Sequence, residues 1–268
     1  MNGDEKMVGL GTLANMIFIL VGSGFGLLIG VGLNQKFQDT IMKAMGLSVM
    51  FIGLSGAMQG LMTIKDGGLG TSNWMLMIVS LAIGAFFGEW VDIEDRLERA
   101  GEWIKKSLKV NGVKGQNFVE GFVTSSLLYC VGAMAIIGAL KDGLTGNSSI
   151  LISKGIIDGI VSFFIASTLG IGVLFSVIPL AIYQGSITLG AKYVEPFLND
   201  TLILQISFIG SVLIFAIGIN MIFGKKIKCG NLLPAILVPV FYQILSPIIS
   251  KFFHYILVNT NQFFGIVS

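Results

Sequence analysis

Long apolar runs separated by short polar breaks dominate this chain. Eight of them are predicted to cross a bilayer: Leu10 to Leu33, Ile41 to Ile64, Trp74 to Val91, Phe118 to Leu140, Ile150 to Phe175, Val177 to Tyr193, Leu202 to Phe223 and Leu232 to Ile249. The length criterion is physical: about 30 Å of hydrocarbon takes roughly 20 helical residues. One stretch between them has a different rhythm. Ile93, Leu97, Ala100, Ile104 and Leu108 recur at helical spacing with Glu94, Glu98, Glu102, Lys105 and Lys109 elsewhere on the wheel, and Trp103 suits a headgroup boundary. This pattern predicts an amphipathic helix lying on the membrane surface.

Composition agrees with the pattern. The chain is 54% hydrophobic and only 12% charged over 268 residues, with a mean hydropathy of +0.85, where a soluble domain carries about 25% charged residues. The expected fold is an all-α integral membrane protein in a single membrane domain. Within it the expected segments are 1–91 (three helices), 92–116 (amphipathic helix and loop), 117–175 (two central helices), 176–249 (three helices) and 250–268 (an interfacial tail). The acidic start MNGDEKM and the length of the first run read as a retained first helix rather than a signal peptide.

Charge sets the expected orientation. The loop after the third span holds Arg96, Arg99, Lys105, Lys106, Lys109 and Lys114, which places it in the cytoplasm and the N-terminus outside. The Lys225, Lys226 and Lys228 cluster falls inside only if the run from Val177 crosses the membrane in spite of Pro179, Gln184 and Gly185. Both termini are therefore expected outside. A formal net charge of +2 gives no reason to expect a nucleic-acid partner.

A weak internal repeat is visible. LNQKFQDTIM (Leu33 to Met42) aligns with VEPFLNDTLI (Val194 to Ile203), matching Asp39-Thr40 to Asp200-Thr201, and SVMFIGLSGAM (Ser48 to Met58) meets SVLIFAIGINM (Ser211 to Met221) after a two-residue slip. With spans two and seven running in opposite directions, the first and last three spans would be inverted copies around two linking helices, an arrangement common in alternating-access transporters. Gly22, Gly26 and Gly30 form a ladder suited to close helix packing.

The candidate chemistry lies on the fifth span. After Asn147, Ser148 and Ser149, which are good N-caps, Lys154 would sit roughly 7 Å and Asp158 roughly 13 Å into the helix at 1.5 Å per residue. Four residues apart, they share a face and can pair. A charge at the centre of a membrane helix costs on the order of 3 kcal/mol, so such groups usually mark a pathway, although a satisfied ion pair joining helices is the competing reading. Glu120, Gln184, Asn220 and Asn231 are further candidates for a binding cavity; the alternatives are an interfacial carboxylate for Glu120, bonding across helices for Gln184 and Asn220, and a helix cap for Asn231. Pro239 marks a site where the eighth helix could kink.

No metal, cofactor or enzymatic site is expected. Cys130 and Cys229 lack ligand spacing, Gly53-Leu-Ser55-Gly56 lacks the strand-turn-helix context of a nucleophile elbow, and the one histidine, His254, lies beyond the last span. The expected partners are the lipid bilayer and a small ion or polar solute, and the mixed small and apolar faces suit a monomer or a homo-oligomer alike. The expected function is that of a small secondary transporter or a channel; a structural or assembly role without a solute is the main alternative, and an intramembrane enzyme the lesser one.

FVEGF (Phe118 to Phe122), GALKDGLTGNSSILISKGIIDG (Gly138 to Gly159), YQGSITLGA (Tyr183 to Ala191) and NLLPAI (Asn231 to Ile236) resemble the signature stretches of the bacterial YdfK/YqgA family of uncharacterised membrane proteins. The resemblance covers nearly the whole chain. It implies a multi-pass protein of the bacterial inner membrane and a transport-protein class without a substrate, and it puts Glu120, Lys154, Asp158, Gln184 and Asn231 at motif positions. At the turn before the fifth span the family often carries Asp where this chain has Asn147.

Overall fold

A computed structural model describes residues 7–65, 68–110, 117–197, 199–243 and 245. The fold is all-α apart from one short hairpin. In chain order the helices are α1 (Leu10–Gly30), α2 (Gln35–Leu61), α3 (Trp74–Val91), α4 (Ile93–Ser107), α5 (Phe118–Cys130), α6 (Ala133–Thr145), α7 (Ser149–Leu169), α8 (Gly172–Phe175), α9 (Val177–Val194) and α10 (Asp200–Phe223), followed by a 3-10 segment, Gly230–Leu237. Among the described residues six helices are long and apolar enough to cross a membrane, and seven if the bent pair α5 and α6 counts as one span. The eighth expected span is shorter than that: its described apolar helix covers Gly230–Gln243. The expected interfacial tail, 250–268, lies outside the described residues.

Local chemistry explains the boundaries. Asn34 and Asn199 cap α2 and α10, their side chains accepting from the Phe37 and Leu202 amides at 3.1 and 2.8 Å. The second span was expected to run to Ile64, but α2 stops at Leu61 and the chain turns into an antiparallel hairpin, β1 (Met62–Lys65) with β2 (Gly68–Thr71), in the register Met62↔Thr71 to Lys65↔Gly68. Met62, Thr63 and Ile64 are apolar or β-branched. They extend a hydrophobic run as readily as they pair as a strand, so hydropathy reads across the helix end.

Among the described residues, three of the close glycine-mediated helix contacts join α1 to α7, α2 to α10 and α3 to the last segment. Helices α1 and α7 lie parallel, with Gly22, Gly26 and Gly30 against the backbones of Gly159, Phe163 and Ser167. Antiparallel α2 and α10 meet where Gly46 faces Met221 and Gly60 faces Phe208. The third contact seats Gly84 of α3 on Ala235 and Gly88 on Asn231. Each lets two backbones approach to a distance that a methyl group would prevent, which is how helices associate when lipid removes the hydrophobic drive between them. The outer faces of α1 to α3 expose Phe25, Leu28, Phe51, Phe86 and Trp90, as a bilayer-facing surface requires.

The run from Phe118 to Leu140 was expected as one span and is instead broken. Helix α5 ends at Cys130, Val131 is extended, and Gly132 takes φ +129°, a backbone conformation reserved in practice for glycine. The axis turns by 62° before α6 continues to Thr145, which extends the helical stretch beyond Leu140. The span expected over Ile150 to Phe175 also closes earlier. Helix α7 ends at Leu169, Gly170 has φ +78°, and Gly172–Phe175 form the separate helix α8. The amphipathic helix α4 forms, but its inner face packs against protein: Ile104 joins a core with Phe118 and Phe122, and Gly101 abuts the Phe122 ring, while Trp103 stays exposed.

Candidate functional site

Asn147 initiates α7, its side-chain oxygen accepting from the Ser149 amide at 3.1 Å and the Ser149 hydroxyl at 2.7 Å. From that start the helical period carries Lys154 and Asp158 onto the inner face, where they form a salt bridge and are only 6% and 8% exposed. Gly155 between them admits the α1 backbone at Asn15, which brings a buried amide alongside the pair. The Asn15 Nδ2 donates to Gln184 Oε1 of α9 at 3.3 Å, and Asn15 also interacts with the Asp158 carboxylate. From α5, Tyr129 hydrogen-bonds Ser162 at 2.7 Å, and the Ser162 hydroxyl donates to the Asp158 carbonyl at 2.6 Å. Cys130, at the point where α5 breaks, lies within electrostatic reach of both Lys154 and Asp158. Four helices thus place polar groups around one ion pair beside the break. The arrangement buries a carboxylate and an ammonium together among neutral polar side chains.

The structure brings Gln184 to the pair and places the other sequence candidates at the opposite end of the bundle, near α4. Glu120 lines a cavity of about 460 Å³ together with Glu94, Glu98, Thr124, Asn220 and Lys225. Asn220 braces the turn after α10: its Oδ1 accepts from the Lys226 and Ile227 amides, both at 3.0 Å, and its Nδ2 donates to the Ile227 carbonyl at 2.7 Å. Asn231 accepts from the Glu94 amide at 2.8 Å and donates to Glu89 at 2.6 Å. Ser55 sits on the exposed face of α2 in a groove with Phe51, Leu54, Met58, Gln59 and Met62, and His254 lies outside the described residues.

Asn231 belongs to a charged latch that ties α4 to the last segment. Buried Glu94 accepts from the Gly230 amide at 2.8 Å and pairs with Lys225 at 2.9 Å, Lys225 also pairs with Glu98, and Lys228 meets Glu89 at 2.7 Å. The bond to Glu89 holds the Lys228 ammonium above the usual lysine range. For Lys225 burial pulls the other way, but its bonds to Glu98 and Glu94 prevail and it too is raised. A raised folded value means that this part of the latch is fully present below the ordinary lysine pKa and is lost as pH rises through the raised one. Replacing Asn231 with alanine leaves the buried Glu94 amide without its acceptor, and thermal unfolding in detergent should show a loss of about 1–3 kcal/mol. An unchanged melting temperature for Asn231→Ala would mean that the Asn231 bonds contribute nothing to the fold.

Sequence reasoning missed Asn15, Tyr129 and Asp142. Asp142 is fully buried in the last turn of α6, where its Oδ2 accepts from the Gly11 amide of α1 at 3.1 Å. The available signal was a polar residue inside an apolar run for Asn15. For Asp142 it was an acid within the most distinctive stretch, KDGLTGNSS, though its position beside Lys141 reads equally as a solvated helix end.

Comparison with known proteins covers the same residues. The chain is 34% identical over 229 residues to the "Uncharacterized membrane protein YdfK" of Bacillus subtilis (strain 168), spanning 85% of this chain and 93% of that protein. It is 26% identical over 230 residues to the "Uncharacterized protein YqgA" of Escherichia coli (strain K12), with the same coverage of 85% and 93%. No solved structure matches. A family model described as "Protein of unknown function (DUF554)" matches residues 10–244, so the break, the Lys154–Asp158 pair and the latch all fall inside the matched region, and the chain belongs to that family.

Proposed function

We propose that this protein moves a small ion or polar solute across a bacterial inner membrane, with Asp158 and Lys154 at the site. The observation that carries this reading is a buried, charged pair beside the break between α5 and α6, surrounded by Asn15, Gln184, Tyr129 and Ser162 from three other helices and α7 itself. Broken helices and intramembrane ionisable groups are recurrent parts of transport sites, because freed backbone and charge are tolerated only where they line a cavity. The orientation that fits the basic loops puts the α4 end in the cytoplasm and the Asp142 end outside. The expected inverted repeat would make the path two-fold related; the parallel α1–α7 contact and the antiparallel α2–α10 contact are the packing that such a repeat would have to reproduce.

A satisfied Lys154–Asp158 bond also suits a purely structural pair. The deciding experiment is the thermal stability of the detergent-solubilised protein against a panel of cations, anions and small metabolites, in wild type and in Asp158→Asn. A ligand at about 100 times its Kd adds roughly 2.7 kcal/mol if it binds only the folded protein. A shift present in wild type and lost in the variant is the expected result. Equal responses in the two proteins would make the pair structural and favour an assembly role.

A further inference from the structure

We propose that the Asp142 end of the bundle holds a file of water that carries protons between Asp142 and the Lys154–Asp158 pair. The inference rests on the transport reading for its inner terminus, and it names the proton as the species moved there.

Two helix faces form the file. On α1, Thr12 lies one turn from Asn15 toward the Asp142 end; on α9, Thr188 lies one turn from Gln184 in the same direction, and the Asn15–Gln184 bond fixes the two faces against each other. Asp142 caps the series, bonded to Gly11 next to Thr12, while its neighbour Gly143 packs on the Thr188 backbone. All five side chains are buried, from 0% to 7% exposed. Yet Thr12 Oγ1, Asn15 Oδ1, Gln184 Nε2, Thr188 Oγ1 and Asp142 Oδ1 have no hydrogen-bond partner among the described residues. Leaving so many buried polar atoms unmet carries the desolvation penalty of each one. Water satisfies them all: successive levels are separated by roughly 4.5–6 Å of helical rise, about the span of one water accepting on one side and donating on the other.

The pair at the inner end favours a proton over a metal cation. A cation binding Asp158 would have to displace the Lys154 ammonium, whereas a proton delivered by water adds to a carboxylate oxygen, neutralises Asp158 and leaves the ammonium its three protons. The groups facing Asp158 are Lys154 on its own helix, Asn15 from α1, and Tyr129 and Cys130 from α5. Asp142 faces the Gly11 amide of α1, and the charges nearest to it in sequence and on α9, Lys141 and Lys192, are exposed.

The test uses the full chain in proteoliposomes, with proton flux read by an internal pH dye under an imposed potential. Wild type should conduct, and Asp142→Asn, which can still accept from Gly11, should conduct at least tenfold more slowly. In a Cys130→Ala, Cys229→Ala background, silver ion should react with Thr188→Cys at least tenfold faster than with the lipid-facing Leu189→Cys. An unreactive Thr188→Cys, or full flux in Asp142→Asn, overturns the proposal. So does a wild type that shows an Asp158-dependent shift with some other solute but no proton flux, an outcome that spares the transport reading; absence of both the shift and the flux removes both.

Discussion

Gly26→Leu should abolish the close α1–α7 contact and lower the stability of the purified protein by about 3 kcal/mol, while Gly24→Leu, two residues away on the same helix, should be nearly silent. A Cβ on Gly26 would lie 2.1 Å from the Phe163 carbonyl oxygen, whereas one on Gly24 meets no atom within 4 Å. The obstruction at Gly26 is backbone, which cannot rotate aside as a side chain can, so the helices must separate along their length. Overpacking of this kind costs typically 1–3 kcal/mol in a soluble core. The upper end applies here because the ladder continues at Gly22, where an added Cβ would lie 2.0 Å from the Gly159 oxygen, and at Gly30, so separation at one rung strips van der Waals contact from the others. The same separation moves Asn15 away from Gly155 and Asp158, which couples packing to the site. Thermal unfolding and size-exclusion behaviour of the two variants check this; equal stability of Gly26→Leu and Gly24→Leu would show that the ladder does not hold the pair.

The second large effect concerns the ion pair itself. Lys154→Met removes the partner of a carboxylate that is only 8% exposed, and breaking a buried pair from one side typically costs 3–5 kcal/mol because the remaining charge is uncompensated. The double variant Lys154→Met, Asp158→Leu removes both charges and should recover most of that stability, since apolar replacement of a whole buried pair is often neutral. Stability and transport then separate: the double variant is expected to fold, to melt near the wild-type temperature and to have lost both the ligand-dependent shift and the flux. A stable double variant with undiminished flux would remove Asp158 from the mechanism. A double variant as unstable as Lys154→Met would instead place the cost in packing around Asn15 and Ser162.

The membrane class, the positions of the long helices and the start of α7 at Ser149 were legible along the chain, as was the facing of Lys154 and Asp158. All rest on local rules: apolar length against bilayer thickness, an amide cap and a four-residue spacing. The break at Val131–Gly132 was not legible, because one glycine among 36 does not announce a φ of +129°. Nor was the hairpin, since Met62 to Ile64 continue the apolar run that α2 has already left. The composition of the site was decided by tertiary structure. Gln184 reaches the pair through Asn15, 169 residues away, and Asp142 is buried where the start of α1 meets the end of α6. Hydropathy weighs each residue against lipid or water, whereas whether a polar side chain inside the bundle meets a partner depends on which helix lies beside it, and here that was set by glycine contacts between segments far apart in sequence.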